Sequence, residues 1–223
     1  MSTLNFISTY GSVLITSLAI LVAGITLVLR VQELIYKYRK ERKRIKMSES
    51  AKQQDWAWKI IALGGLGLSA AGVVAISSHE GLRYTAYPDP ATKAAPWTIC
   101  YGHTGPEVRP GLVVTQSQCD KWLAQDLSKA EQQVRAVVKV RITQGEMDAY
   151  TSFVYNAGIG NFRGSTMLKL LNQGKRKEAC DQFPRWSYAN KIRLEGLAKR
   201  RYEERAMCLK GGKYVNAAIM ETH

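Results

Sequence analysis

The sequence predicts an α+β architecture: a small β-hairpin sheet plus a larger helical lobe with a cleft between, preceded by N-terminal transmembrane helices. Three observations predict it. Residues 1–29 contain no charged side chain. Between Glu80 and Gly105 a polar, turn-rich stretch encloses one β-prone run, Ile99 to Tyr101. Beyond Thr115, apolar side chains recur at the spacing of a helix face, interrupted by capping residues and glycines. A chain of 223 residues and 24.9 kDa suits one globular domain of ordinary size with an appendage. The expected boundaries are 1–46 for a transmembrane helix and its basic cytoplasmic segment, 47–79 for a second, weakly hydrophobic anchor, and 80–223 for the globular domain.

Val13 to Leu29 is continuously apolar or small. With its flanks, and a rise of about 1.5 Å per residue, it can cross a hydrocarbon core of about 30 Å; a buried core helix is the alternative. Arg30 to Lys46 carries eight Lys and Arg against two Glu. Such a run beside a span marks the cytoplasmic side and favours anionic lipid head groups. Nucleic-acid binding is the rival explanation, but the adjacent span accounts for the run, so no nucleic-acid partner is expected. Val31, Leu34, Ile35 and Tyr38 fall at helical spacing and carry the helix onward. Trp56, Trp58 and Lys59 have the character of an interfacial anchor ahead of Ile60 to Ser78. That stretch is rich in Gly, Ala and Ser, so its transfer into lipid is only weakly favourable. A cleaved signal peptide is the alternative. Cleavage near Ala75 to Ser78 would remove the helix that precedes Glu80, which favours an uncleaved segment. With the basic loop inside, the domain from Glu80 onward faces the periplasm.

The chemistry is expected between Glu80 and Gly105. A carboxyl at an apolar helix end tends to hold its proton near neutral pH, as a general acid must. Asp89, between Pro88 and Pro90, belongs to a wet loop and should stay ionised. Two carboxyls with opposite tendencies across a cleft suit hydrolysis of a glycosidic bond: one protonates the leaving oxygen, the other stabilises positive charge or directs water. The hydroxyl of Thr98 can donate and accept at once, so it could hold a water against Asp89 for attack on the far face of the sugar, which predicts inversion. His103, in the turn Gly102 to Gly105, is either a backbone-bonded turn residue or part of the binding site. One of Arg200 and Arg201 could pair with Glu80, surface charge being their plainer role.

These residues carry a resemblance. The stretch is similar to the active-site segment of phage lysozymes of glycoside hydrolase family 24, whose pattern is Glu, eight residues, Asp, five residues, Thr and a G-H turn. Glu80 and Asp89 keep the first spacing, whereas eight residues separate Asp89 from Thr98, so the loop around Ala91 to Pro96 is about three residues longer. Further similar runs are SFVYNAGIGNF (Ser152 to Phe162), STMLKLLNQG (Ser165 to Gly174), RWSY (Arg185 to Tyr188) and RRYEE (Arg200 to Glu204). The resemblance spans roughly Glu80 to Gly211. It implies a lysozyme-like fold and a muramidase acting on peptidoglycan, cleaving the β-1,4 bond between N-acetylmuramic acid and N-acetylglucosamine and causing host cell lysis. Glu80 would be the general acid and Asp89 with Thr98 the water-directing pair. Asn156, Trp186 and His103 would border the sugar groove, with neither metal nor cofactor, in a monomer.

The second apolar stretch resembles the signal-arrest-release anchors of some phage endolysins: exported, held in the membrane with the enzyme in the periplasm, later released and packed back on the domain. The strongly apolar first span would oppose that release. A chain begun at Met47 would carry a single anchor, with residues 1–46 an upstream reading frame or a hairpin partner; both starts remain open. A holin-like, cationic membrane-disrupting protein with a wall-binding domain is the alternative from another class. A transglycosylase, using one acid and no water, is a third.

All four cysteines, Cys100, Cys119, Cys180 and Cys208, fall in the expected exported domain. An oxidising compartment suggests two disulfides, with three pairings possible; neighbours in sequence, Cys100 with Cys119 and Cys180 with Cys208, are the expected pairs. A zinc site is disfavoured because no C-x2-C spacing appears. Thr115 is placed as the cap of a helix carrying Trp122, Leu123, Leu127 and Ala130 inward, and Thr143 with Glu146 as a capping box opening a helix to Ala157. Helices are expected over Met167 to Leu171, Glu178 to Phe183 and Leu194 to Leu209. Trp122, Phe153, Tyr155, Phe162 and Trp186 form an aromatic stripe that suits a core better than a ligand platform. Residues 80–223 carry 22 Lys and Arg against 14 acids, a balance that would draw the domain to anionic wall polymer and membrane.

Overall fold

A computed structural model describes residues 3–88, 96–189, 192–211 and 214–215, the side chains of residues 3–24, 189 and 214–215 excepted. The chain divides into two compact units, Met1–Lys52 and Gln53–His223. In the first, helix α1 (Thr3–Gly64) is the whole structure. From Ile25 to Lys52 every side chain is exposed, including Ile25, Leu27, Val28 and Leu29 and the helical stripe Val31, Leu34, Ile35 and Tyr38. Among the described residues no helix is long and apolar enough to cross a membrane. Of the expected span, the side chains of residues 13–24 lie outside the described ones.

The second unit begins on the last turns of α1, where Ala57 and Ile60 are fully buried. Trp56 is half-buried there, its indole N–H donating to Asp120 Oδ1 at 3.0 Å, while Trp58 is exposed. The apolar stretch from Ile60 to Ser78 is not one helix. Gly65 takes a φ of 60°, open to glycine at little cost, and Ser69 opens a new helix, α2 (Ala70–Glu80), by accepting the N–H of Gly72. Leu66, Leu68, Val73 and Ile76 are buried on the domain.

Strands β1 (Arg83–Pro88) and β2 (Trp97–Cys100) then form an antiparallel hairpin, pairing Arg83 with Cys100, Tyr87 with Thr98 and Pro88 with Trp97. The segment Leu112 to Val114 extends it through Ala86 N to Leu112 O and Val114 N to Tyr84 O. A disulfide from Cys100 to Cys119 ties the hairpin to α3 (Gln116–Val137).

The helical lobe is built around α4 (Gln144–Ala157), whose residues from Glu146 to Val154 are all buried. Thr143 and Glu146 satisfy each other's backbone N–H groups in a capping box at its start. Packed around it are α3, burying Leu123, Leu127 and Val134 at helical spacing, α2, and α8 (Glu195–Leu209). Each such buried Leu or Val contributes about 1.5–3 kcal/mol relative to exposure. Short helices α5 (Ile159–Arg163), α6 (Thr166–Asn172) and α7 (Arg176–Cys180) and a 3-10 turn (Phe183–Trp186) close the far side, with Cys180 bonded to Cys208 of α8. Two-residue ladders join β3 (Ile142–Thr143) to β6 (Tyr214–Val215) and β4 (Tyr188–Ala189) to β5 (Ile192–Arg193), all antiparallel. This is a lysozyme-like fold, a small antiparallel sheet beside a helical lobe. The aromatic stripe is divided: Phe153 and Phe162 are fully buried, while Trp122, Tyr155 and Trp186 are half-buried.

Candidate active site

Between hairpin and helical lobe lies a groove of 320 Å³, lined by Glu80, Gly102, Thr104, Asp126, Lys129, Gln133, Tyr155 and Asn156 among others. Glu80 reaches it because α2 ends there, with Gly81 at a φ of 67° turning the chain into β1. Its Oε1 accepts a hydrogen bond from Arg200 Nη1 at 2.5 Å. Its Oε2 lies against Gly102, where an added Cβ would stand 3.2 Å from that oxygen. Gly102 also has a φ of 88°, so a bare residue is required on both counts.

Arg200 is itself fixed from behind. Its Nε donates to Glu204 Oε1 at 3.1 Å and its Nη2 to the Ser152 carbonyl at 3.2 Å. Glu204 has no exposed surface; it also accepts from Ser152 Oγ at 2.7 Å and from Arg201 Nη1 at 2.7 Å. Arg201 lies over the Phe153 ring and donates to Asn156 Oδ1, which holds that amide on the groove wall. Burial pushes the Glu204 carboxyl up and pulls the Arg201 guanidinium down, and the pairing between them opposes both shifts.

His103 is buried, stacked on Trp122 at 4.5 Å and set between two carboxylates, Asp126 at 2.7 Å on Nδ1 and Glu107 at 2.6 Å on Nε2. Burial works against its charged form, yet the hydrogen bonds and charges of Asp126 and Glu107 outweigh it and hold His103 above the ordinary histidine range. It is not among the described lining of the groove; it steadies Asp126, which is. Tyr155 donates its hydroxyl to the Tyr101 carbonyl at 2.5 Å, bracing the turn that carries Gly102, and burial pushes its phenol well up.

Of the expected site residues, Glu80 and Asn156 share the groove. Thr98 is buried on β2, across the hairpin from Tyr87, and is not among the described lining. Asp89 lies outside the described residues. Trp186 meets Phe153 edge-on at 5.1 Å and faces the lobe's core. Asp126 and Lys129 carry no mark of their own in the sequence, and Tyr155, expected in the core with the aromatic stripe, lines the groove instead. Asp126 sits four residues after Trp122 on one helix face, a spacing that could have linked it to the aromatic stripe. Among the described residues no group of three or more His, Cys, Asp and Glu side chains is arranged to hold a metal ion.

A polar groove with one carboxyl held between an arginine and a bare glycine suits a hydroxyl-rich polymer and proton transfer to it. Residues 77–204 match the phage lysozyme family. The chain belongs to that family. It is 45% identical over 132 residues to the SAR-endolysin of Bacteriophage PS119, covering 59% of this chain and 77% of that protein. The muramidase domain of SpmX from Asticaccaulis excentricus superposes with a TM-score of 0.58 at 36% identity, over 64% of this chain and 97% of that one. A phage P22 lysozyme superposes with a TM-score of 0.57 at 32% identity, over 65% and 99%. The family match includes both Glu80 and Arg200, so the lysozyme likeness covers the groove and not the helical scaffold alone.

Proposed function

We propose that this chain is a phage-type endolysin, a glycoside hydrolase that cleaves the β-1,4 linkage between N-acetylmuramic acid and N-acetylglucosamine in peptidoglycan and so lyses the host cell. The observation that carries this is Glu80, presented at a helix end into a polar groove and gripped by Arg200, within the matched family segment. Glu80 protonates the departing glycosidic oxygen as general acid. Asp89 with Thr98 directs a water to the opposite face, and the product is the inverted anomer. Asn156 donates from its amide nitrogen and Asp126 accepts at sugar hydroxyls along the groove, and His103 steadies that wall. The enzyme works as a monomer, as the resemblance implies.

The enzyme reaches its substrate from the membrane. Residues 1–46 hold a span and a basic cytoplasmic segment, 47–79 a reluctant anchor, and 80–223 the lysozyme domain in the periplasm. Support comes from the uncharged residues 1–29, the exposed apolar side chains Ile25 to Leu29, and the likeness to a protein named a SAR-endolysin. On leaving the bilayer the anchor folds onto the domain as the end of α1 and α2, which delivers Glu80 to the groove.

Glu80→Gln is the test: clearing of isolated peptidoglycan should slow by at least about 100-fold, as expected when a general acid is removed. Clearing at the wild-type rate would sink the assignment.

A further inference from the structure

Two buried carboxylates in the helical lobe take no part in the groove. Both hold the break between α1 and α2. Asp148 of α4, 5% exposed, accepts the Ser69 N–H on Oδ1 at 2.9 Å and the Ser69 hydroxyl on Oδ2 at 2.6 Å. Ser69 in turn accepts the N–H of Gly72 at 3.0 Å, which opens α2. Glu131 of α3, anchored by Arg135 at 2.6 Å, accepts the Gly67 N–H at 2.9 Å. Gln144 spans the two contacts, donating to the Gly67 carbonyl at 2.8 Å and to Asp148 Oδ1 at 3.0 Å. The fit is close: a Cβ on Gly72 would stand 2.6 Å from the Asp148 carboxyl carbon.

We infer that Asp148 is a positioning residue for Glu80, acting through α2: by gripping Ser69 it sets the rotation and axial register of the helix whose last residue is the catalytic acid. The inference rests on the assignment of Glu80 as that acid. Its physical basis is direction. The apolar side chains of α2, Val73 and Ile76, are fully buried, but apolar burial is non-directional and tolerates a helix that slides or turns by a fraction of its pitch. A carboxylate that takes a backbone N–H and a hydroxyl of the same residue tolerates neither. α2 has eleven residues, so an error at Ser69 is carried rigidly over about 16 Å to Glu80. Displacement of a catalytic group by about 1 Å is enough to cost about 100-fold in rate.

The test uses the full-length chain in mild detergent, acting on soluble glycan strands released from peptidoglycan. Asp148→Asn keeps the side chain's size but places an amide where Ser69 donates. The expected result is a fall in kcat of about 100-fold with KM within about threefold of wild type. Ser69→Ala, on the other side of the contact, should lower kcat in the same way, and the double variant should fall no further than Asp148→Asn alone. Leu171→Ala, fully buried in α6, controls for lost stability and should retain its kcat when assayed equally far below its own Tm. Should Asp148→Asn not fold, Ser69→Ala carries the comparison against that control. Wild-type kcat in folded Asp148→Asn or Ser69→Ala, multiplicative losses in the double variant, or an equal loss in Leu171→Ala would overturn the inference. Wild-type turnover in Glu80→Gln would instead overturn the acid assignment, and this inference with it.

Discussion

Replacing Glu204 with Gln isolates the charge cluster behind the acid, because the shape is kept and one negative charge is lost. Glu204 is fully buried and its partners Arg200 and Arg201 are 3% and 1% exposed. In the native cluster both guanidiniums are bonded to Glu204, and Arg200 reaches Glu80 as well. In the variant Arg200 keeps Glu80 while Arg201 keeps, among the described residues, only the Asn156 amide oxygen, and the new amide directs N–H donors at one of the two guanidiniums. Removing one partner of a buried ion pair destabilises by about 3–5 kcal/mol, since the remaining charge is left dry and unmatched. At about 2–4 °C per kcal/mol for a domain of this size, the melting temperature should fall by roughly 6–20 °C. Against a total stability of about 5–15 kcal/mol, that is a large fraction of what holds the domain folded. Circular dichroism melts of the full-length chain, with urea titration for the free energy, read the change directly. A loss below about 1 kcal/mol, the value of an exposed pair, would mean that water reaches these guanidiniums and that the cluster is not the dry support described here.

His103 should make stability depend on pH near neutrality. Its folded pKa is raised above the unfolded value of 6.5, so the stabilising contribution is complete below that value and is lost as pH rises through the folded one. Melting temperatures from pH 5 to 9 should decline across that window in the wild type and less so in His103→Gln; parallel curves would refute it. Membrane fractionation tests the proposed anchor. The chain should sediment with membranes in energised cells and appear in the soluble periplasmic fraction after the membrane potential is collapsed, whereas a chain that stays sedimented throughout would argue against release.

The parts of this fold visible in sequence are those with local signatures. Thr115, and Thr143 with Glu146, open their helices because a side-chain oxygen must satisfy the first free N–H groups, and that need is written in the residue type. Leu123, Leu127 and Val134 are buried because only one helix face can meet the core. The ladders β3–β6 and β4–β5 left no trace, since a two-residue strand has no alternation to detect. At the site, Glu80 was marked by its place after an apolar run. Tyr155 and Asp126 were not, because their roles come from distant packing: one braces the Tyr101 carbonyl, the other pairs with a histidine in the hairpin turn. Of the two arginines at 200 and 201, nothing local distinguishes which meets Glu80. The helix phase decides it, turning Arg200 toward α2 and Arg201 toward Phe153.

The composition of Ile60 to Ser78 answers two demands at once. In a bilayer, Gly, Ala and Ser gain little from lipid, so the proposed anchor is held weakly. On the domain the same small residues let the chain lie close: a Cβ on Gly72 would stand 2.6 Å from the Asp148 carboxyl carbon, and Gly65 supplies the positive φ at which one helix becomes two. In the proposed scheme a larger apolar residue at either position would strengthen retention in the membrane and obstruct docking, so the same side chains would tune the two states in opposite directions. Breaking the helix frees the N–H groups of Gly67 and Ser69, which in apolar surroundings would be expensive to leave unpaired. Glu131 and Asp148 take them up, which lets the segment break into two helices on the protein. Under the proposed release, membrane exit and assembly of the active site would be one folding step, with Glu80 placed by the helix that the break creates.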